Sequence, residues 1–156
     1  MKFRGVDKLK RKLKAIPVVA RQEIHEALQQ SAAEMTATAR NFAPVDSYAL
    51  RNSIGYTFGE YKAENANVRG VSGGGKLNDK DLTVTIHAGD AKAFYAAFVE
   101  FGTAAHTNKG KFAGSHNPGT SAGPFFFPAY RLVKKRVTSR ISRATNKAAK
   151  KVAAES

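Results

Sequence analysis

The chain contains no cysteine among its 156 residues, which excludes a disulfide framework and thiolate metal sites. It has no run approaching the ~18 apolar residues that a membrane span requires. The basic start, Met1–Ala15, lacks the apolar core of a signal peptide, so the cytosol of the producing cell is the expected location and no membrane partner is expected. Acidic residues are few, 12 against 26 Lys and Arg, and none lies between Phe101 and Glu155. Apolar residues make up 42%, so the chain is long and apolar enough to bury one core, and a single domain over 1–156 is expected.

The positive charge is concentrated at the ends. Residues 1–21 carry +7, residues 22–100 carry −3 and residues 101–156 carry +10. Such ends suit nucleic acid, a membrane surface or an acidic protein partner, or they are the solvated faces of terminal helices. Candidate basic-surface residues are Lys8 and Lys12 near the start and Arg136, Arg140, Arg143 and Lys147 near the end.

Apolar spacing supplies the elements. Val6, Leu9, Leu13 and Ile16 predict a short basic helix or arm over 1–17, with Pro17 interrupting it or opening the next helix. Ala20, Ile24, Leu28, Met35, Ala39 and Phe42 predict a helix over Val18–Asn41, ended by Ala43-Pro44. Ile54, Tyr56 and Phe58 alternate with small residues, as do Leu82, Val84 and Ile86 with polar ones, which predicts two strands. The glycine-rich stretch between them reads as a long hairpin loop. Asp90 is placed to cap a helix beginning at Ala91 and carrying Phe94, Phe98 and Phe101, with Gly102 at its end. Thr103–Gly123 shows no periodicity and reads as a loop. Tyr130, Val133, Val137, Ile141, Ala144 and Ala148 mark the apolar face of a last helix, and its basic stripe falls roughly 100° around the axis. Residues 146–156 form a basic tail. The order helix, helix, strand, strand, helix, helix predicts an α+β fold, with long N-terminal and C-terminal helices on a small antiparallel sheet.

The search for chemistry finds little. His106 and His116 share a loop without acidic neighbours, so no metal site is assigned. His25 is expected on the surface of a helix, and His87 is expected to point to solvent. Gly70 and Gly75 before Lys76 have phosphate-loop spacing, but Leu77 stands where a magnesium-binding hydroxyl is required. No nucleophile elbow is present. Glu100, set among Phe98, Val99 and Phe101, is the one carboxylate in an apolar setting. It could act as a general acid, pair with an arginine or accept backbone N–H bonds. With no second catalytic group, structural pairing is favoured, and no cofactor is assigned.

Three segments carry a resemblance. They are Ala43-Pro44-Val45-Asp46-Ser47 followed by Leu50–Ile54, then Tyr95–Thr103, then Gly123–Tyr130. In this order the chain resembles, over about residues 18–145, the tail-component family of long-tailed phages and prophages. Tyr48 stands where family members often carry glycine, so a different turn is expected there, and the 103–123 loop is longer than is common in the family. The resemblance implies a non-enzymatic virion protein of the neck or upper tail, assembled in the host cytoplasm. It implies a homo-oligomeric ring, a hexamer to match the sixfold tail, that joins or completes the tail at the connector. Connector and tail-tube proteins would be its partners, with DNA in the lumen as a further contact. Within that reading the interface candidates are Phe101, Phe125, Phe126, Phe127, Tyr130 and Glu100. The competing readings are a basic nucleic-acid-binding protein, which lacks a helix-turn-helix or an aromatic strand platform, and a small hydrolase, which lacks a nameable acid–base pair.

Overall fold

The computed structural model describes residues 6–59, 61 and 82–154, of which 6–17, 19, 152 and 153 are described by their backbone alone. The elements are helix α1 (Val6–Phe42), short helix α2 (Ala49–Ser53), strands β1 (Gly55–Phe58) and β2 (Val84–His87), helix α3 (Ala96–Phe101), two-residue strands β3 (His106–Thr107) and β4 (His116–Asn117), and helix α4 (Phe126–Ala154). This is the α+β arrangement expected, with β1 and β2 antiparallel in a register that pairs Gly55 with His87 and Phe58 with Val84. The phosphate-loop look-alike and the glycine-rich hairpin loop lie outside the described residues.

Helices α1 and α4 form the largest packing contact of the fold. Glu23 pairs with Lys147 and Lys151, whereas Glu34, further along α1, pairs with the earlier Arg136 and Arg140. The two helices are therefore antiparallel. Ala32, Ala39, Ala129 and Ala148 are fully buried, and side chains this small allow two helix backbones to approach closely. At the α1 C-terminus the core widens to Met35, Leu50, Ile54, Phe125 and Val133.

Several expectations need correcting. Helix α1 runs for 37 residues straight through Pro17. The missing proline N–H removes one backbone bond, and the turns on either side carry the helix across it, since propagation costs far less than a new nucleation. Helix α3 begins at Ala96 rather than Ala91. Asp90 still serves as a cap of sorts, because its Oδ1 accepts the N–H groups of Lys92 and Ala93 at 2.8 and 2.7 Å. That closes a local turn instead of starting the helix.

The histidines also differ from expectation. His25 stacks on Phe58 at 4.2 Å between centroids. His87 lies under the Tyr61 ring at 3.9 Å. Its strand partner is Gly55, whose missing side chain leaves the slot that the imidazole fills.

The 103–123 stretch is a built hairpin arm rather than an irregular loop. Thr103 and Thr120 exchange backbone bonds at 3.0 and 3.1 Å at its base. Strands β3 and β4 pair above them, and a 3₁₀ turn at Gly110–Phe112 closes the tip. Side-chain periodicity was silent here because almost every arm residue is exposed, so neither face has a core to select apolar residues. At Gly102, φ is 71° and a Cβ would stand 2.6 Å from the Thr120 carbonyl oxygen. At Gly110, φ is 69° but nothing lies within 4 Å of a Cβ. Gly110→Ala should therefore cost only the left-handed penalty of about 1 kcal/mol. Gly102→Ala adds a backbone clash and should cost about 3 kcal/mol or more. Urea denaturation of the two variants measures the difference.

Candidate functional site

The N-terminus of α4 holds four of the six interface candidates, Phe125, Phe126, Phe127 and Tyr130, and the structure organises it around a fifth, Glu100. A helix start leaves its first backbone N–H groups without intrahelical partners. Here the Phe125 and Phe126 N–H groups donate to Glu100 Oε2, both at 2.8 Å, and the Phe127 N–H donates to Oε1 at 3.0 Å. The next residue, Pro128, has no N–H to satisfy. The Ala129 N–H then reaches the Phe125 carbonyl at 3.4 Å and opens the helical ladder. Every donor at this helix start is accounted for. The carboxylate belongs to α3, lies at the positive end of a 29-residue helix and is itself buried at 6% exposure. Burial, three charge-assisted bonds and the helix dipole all act on the same group.

This cap distributes the aromatic residues. Phe125, 1% exposed, enters the core. Phe126 is half-buried and packs edge-on against both neighbouring rings. Phe127 and Tyr130 point outward, as do Phe98 and Phe101 on α3. Glu100 brings the two helices together so that the Phe101 and Phe127 rings meet at 5.9 Å. Phe98 with Phe101, and Phe127 with Tyr130, are three residues apart on their helices and share a face. The result is an exposed aromatic surface beside the base of the arm.

The basic stripe is found in a setting that the sequence reading did not anticipate. Arg136 and Arg140 both hold Glu34, at 2.7 and 2.6 Å, and Arg140 also donates to Ser31 Oγ at 2.7 Å. Lys147 holds Glu23 at 2.9 Å, with Lys151 on the other oxygen. Arg143 donates to the Ser139 carbonyl and, with Lys147, Lys150 and Lys151, lines an open groove at the far end of α4. Lys8 and Lys12 lie on α1, with side chains outside the description. Glu23 and Ser31 are buried toward α4, and their spacing of eight residues on the inner face of α1 was the available signal.

His106 and His116 are exposed on the arm. Among the described residues no group of three or more metal-ligating side chains converges, and no helix is long and apolar enough to cross a membrane.

Two titrating groups tie stability to pH. Hydrogen bonds from Lys151, then Lys147, hold the Glu23 carboxyl below its usual 4.5. Burial lowers His87 from its usual 6.5, partly offset by a contact with the Ser53 backbone.

Comparison with known proteins gives one family. The family model described as "Bacteriophage HK97-gp10, putative tail-component" matches residues 7–102. That span holds the first of the three motif segments and all but the last residue of the second, ending at Gly102, the glycine after α3. No curated protein and no solved structure matches.

Glu100→Ala should strand three N–H groups, that of Phe125 buried and those of Phe126 and Phe127 part-buried, and cost about 3 kcal/mol in urea unfolding. Glu100→Gln keeps one acceptor oxygen and should fall between that variant and the wild type. Acid should destabilise the fold in two stages. The folded state disfavours the charged His87, so stability drops as pH falls below 6.5. It favours the charged Glu23, whose contribution is complete above about 4.5 and is lost as pH falls through its lowered value. Thermal melts across pH 3–8 should show both stages, and Glu23→Gln should remove the lower one.

Proposed function

The chain belongs to this phage tail-component family, and from that premise we propose that it is a structural virion subunit of the neck or upper tail. It forms a ring, hexameric to match the tail, that joins or completes the tail at the head–tail connector. It works by contact with connector and tail-tube proteins, without catalysis. Assembly takes place in the host cytoplasm, and the finished subunit resides in the virion.

The observation that carries this reading is the aromatic surface of Phe98, Phe101, Phe127 and Tyr130. Each of the four is 42–56% exposed, and the Phe101 and Phe127 rings meet across the two helices. A monomer at rest gains nothing from such a surface, and an assembly subunit buries it. Glu100 supports the surface from beneath, while Phe125 and Phe126 anchor it to the core.

Nucleic-acid binding by the basic ends is the competing reading, and the groove lined by Arg143, Lys147, Lys150 and Lys151 favours it. Against it, Glu34 and Glu23 already occupy Arg136, Arg140, Lys147 and Lys151. DNA in the lumen would meet the residual positive charge of this edge.

Particles made without the protein should yield separate heads and tails. Phe101→Ser with Phe127→Ser should leave the fold intact and lower assembly about thirtyfold, the effect of losing one interface hot spot of ~2 kcal/mol. Heads and tails that join normally without the protein would sink the ring reading. Tight duplex binding at physiological salt, with a steep salt dependence, would favour the competing one.

A further inference from the structure

The cations of α4 divide into two groups. Arg136, Arg140, Lys147 and Lys151 turn toward α1, where Glu34 and Glu23 hold them. Lys135, Arg143 and Lys150 are exposed, and no carboxylate among the described residues pairs with them. Arg143 donates to the Ser139 carbonyl of its own helix at 3.3 Å, an acceptor without charge. The second group lies on one stripe. At about 100° per residue, Lys135, Ser139, Ser142, Arg143, Asn146 and Lys150 fall within about 100° of arc, over a length of about 22 Å. Its far end runs into the open groove that Arg143, Asn146 and Lys150 help to line.

The hydroxyls of α4 follow the same division. Thr138 and Thr145, off the stripe, turn theirs back to the Lys134 and Ile141 carbonyls, each at 3.1 Å. Ser139 and Ser142, on the stripe, are exposed and make no such bond among the described residues. From Lys135 to Lys151 no large apolar side chain of α4 is exposed among the described residues, and no acidic residue occurs from Phe101 to Ala154. The exposed side of α1 is different in kind. That helix has no Lys or Arg from Gln22 to Ala39, and Gln22, Glu26, Gln30 and Ala37 are exposed there. The helix pair is therefore one-sided in charge.

Cations interleaved with uncommitted hydroxyl and amide donors are what a phosphate backbone requires. A helix that enters a membrane surface would carry apolar residues to insert, and a protein interface would have an apolar centre. The stripe has neither. We propose that it is the DNA-facing surface of the subunit, so that in the ring α4 turns Lys135, Arg143 and Lys150 to the lumen and the exposed side of α1 turns away from it. The inference rests on the ring reading and orients the subunit within it. The stripe lies on a different side of α4 from Phe127 and Tyr130, so DNA and a protein neighbour can be held together. Contact is to backbone phosphates and independent of sequence. Three unpaired cations bind weakly in one copy, and repetition around a ring multiplies the effect. A hold of this kind lets a duplex slide.

Full-length protein titrated with a short duplex of mixed sequence should bind at low salt and only weakly at physiological salt. Lys135→Gln, Arg143→Gln and Lys150→Gln together should lower the slope of log K against log salt by about 3, at ~0.9 per phosphate contact. Lys109→Gln with Lys111→Gln, on the arm, should leave the slope unchanged. Equal losses from the two variants would overturn the stripe as the site, as would equally tight binding to polyglutamate or to phosphatidylserine vesicles. The chain has no cysteine, so a photoreactive label can be placed at will in assembled particles. On Ser142→Cys it should cross-link the packaged DNA, and on Ala37→Cys, on the exposed side of α1, it should not. Any other pattern in particles whose heads and tails have joined would overturn the orientation and leave the ring reading standing. Heads and tails that join without the protein would overturn the ring and the orientation together.

Discussion

The arrangement of this fold depends on one carboxylate. Glu100 accepts the three N–H groups that the start of α4 leaves open, and Pro128 supplies a fourth position with nothing to satisfy. Without such an acceptor, the start of α4 could not be buried against α3, because each stranded donor would cost about 1–3 kcal/mol. With it, Phe125 can enter the core and the chain can leave α3 at Gly102 and return at Gly123. The exposed Phe101 and Phe127 rings are side by side for the same reason. A residue that first looks like a candidate acid is therefore a positioning device. It converts two short aromatic motifs, 25 residues apart, into one surface.

The second constraint is the charge ladder between α1 and α4. Two carboxylates on α1 meet four cations on α4, and the spacing of the pairs sets the antiparallel register of the helices. Exposed pairs of this kind add little stability individually. Glu23 is different, being buried with a lysine on each oxygen. The ladder also changes what the net charge of +14 means. Arg136, Arg140, Lys147 and Lys151 are paired within the molecule, so the stripe on α4 offers less free charge than its residues suggest.

What was legible in the sequence follows from which forces leave a period. Helices α1 and α4 bury one face each, and strands β1 and β2 are half-buried throughout, so the apolar residues recur at 3.6 in the helices and alternate in the strand sequences and could be read directly. The inner face of α1 was misjudged in part. Its stripe was drawn through Ile24, Leu28 and Phe42, yet Glu23, Ala27, Ser31 and Thr36 are the buried residues, and Phe42 is largely open. Thr36 Oγ1 is buried without a hydrogen-bond partner among the described residues, whereas Glu23 and Ser31 are buried because α4 brings lysine and arginine to them, a long-range pairing that no local window contains. The same holds for Glu100, whose partners are 25–27 residues away. His87 was misplaced because its environment is set by the opposite strand, where Gly55 leaves room. The arm had no signal beyond its glycines, because two-residue strands without a buried face carry no alternation.

The arm shows where the cost of ordering a long connection falls. A loop of some twenty residues that ordered only on a neighbour would charge its conformational entropy to the interface. Here that cost falls on folding instead. Gly102 and Gly119 permit backbone approaches that a Cβ would block at 2.6 and 2.3 Å, and the threonine pair at the base fixes the direction in which the hairpin leaves the body. An arm that is already ordered loses less entropy on meeting a partner than a disordered segment of the same length would. In the proposed ring each interface need only be modest, because closure would make every subunit hold two neighbours at once, with the last contact made at a high effective concentration.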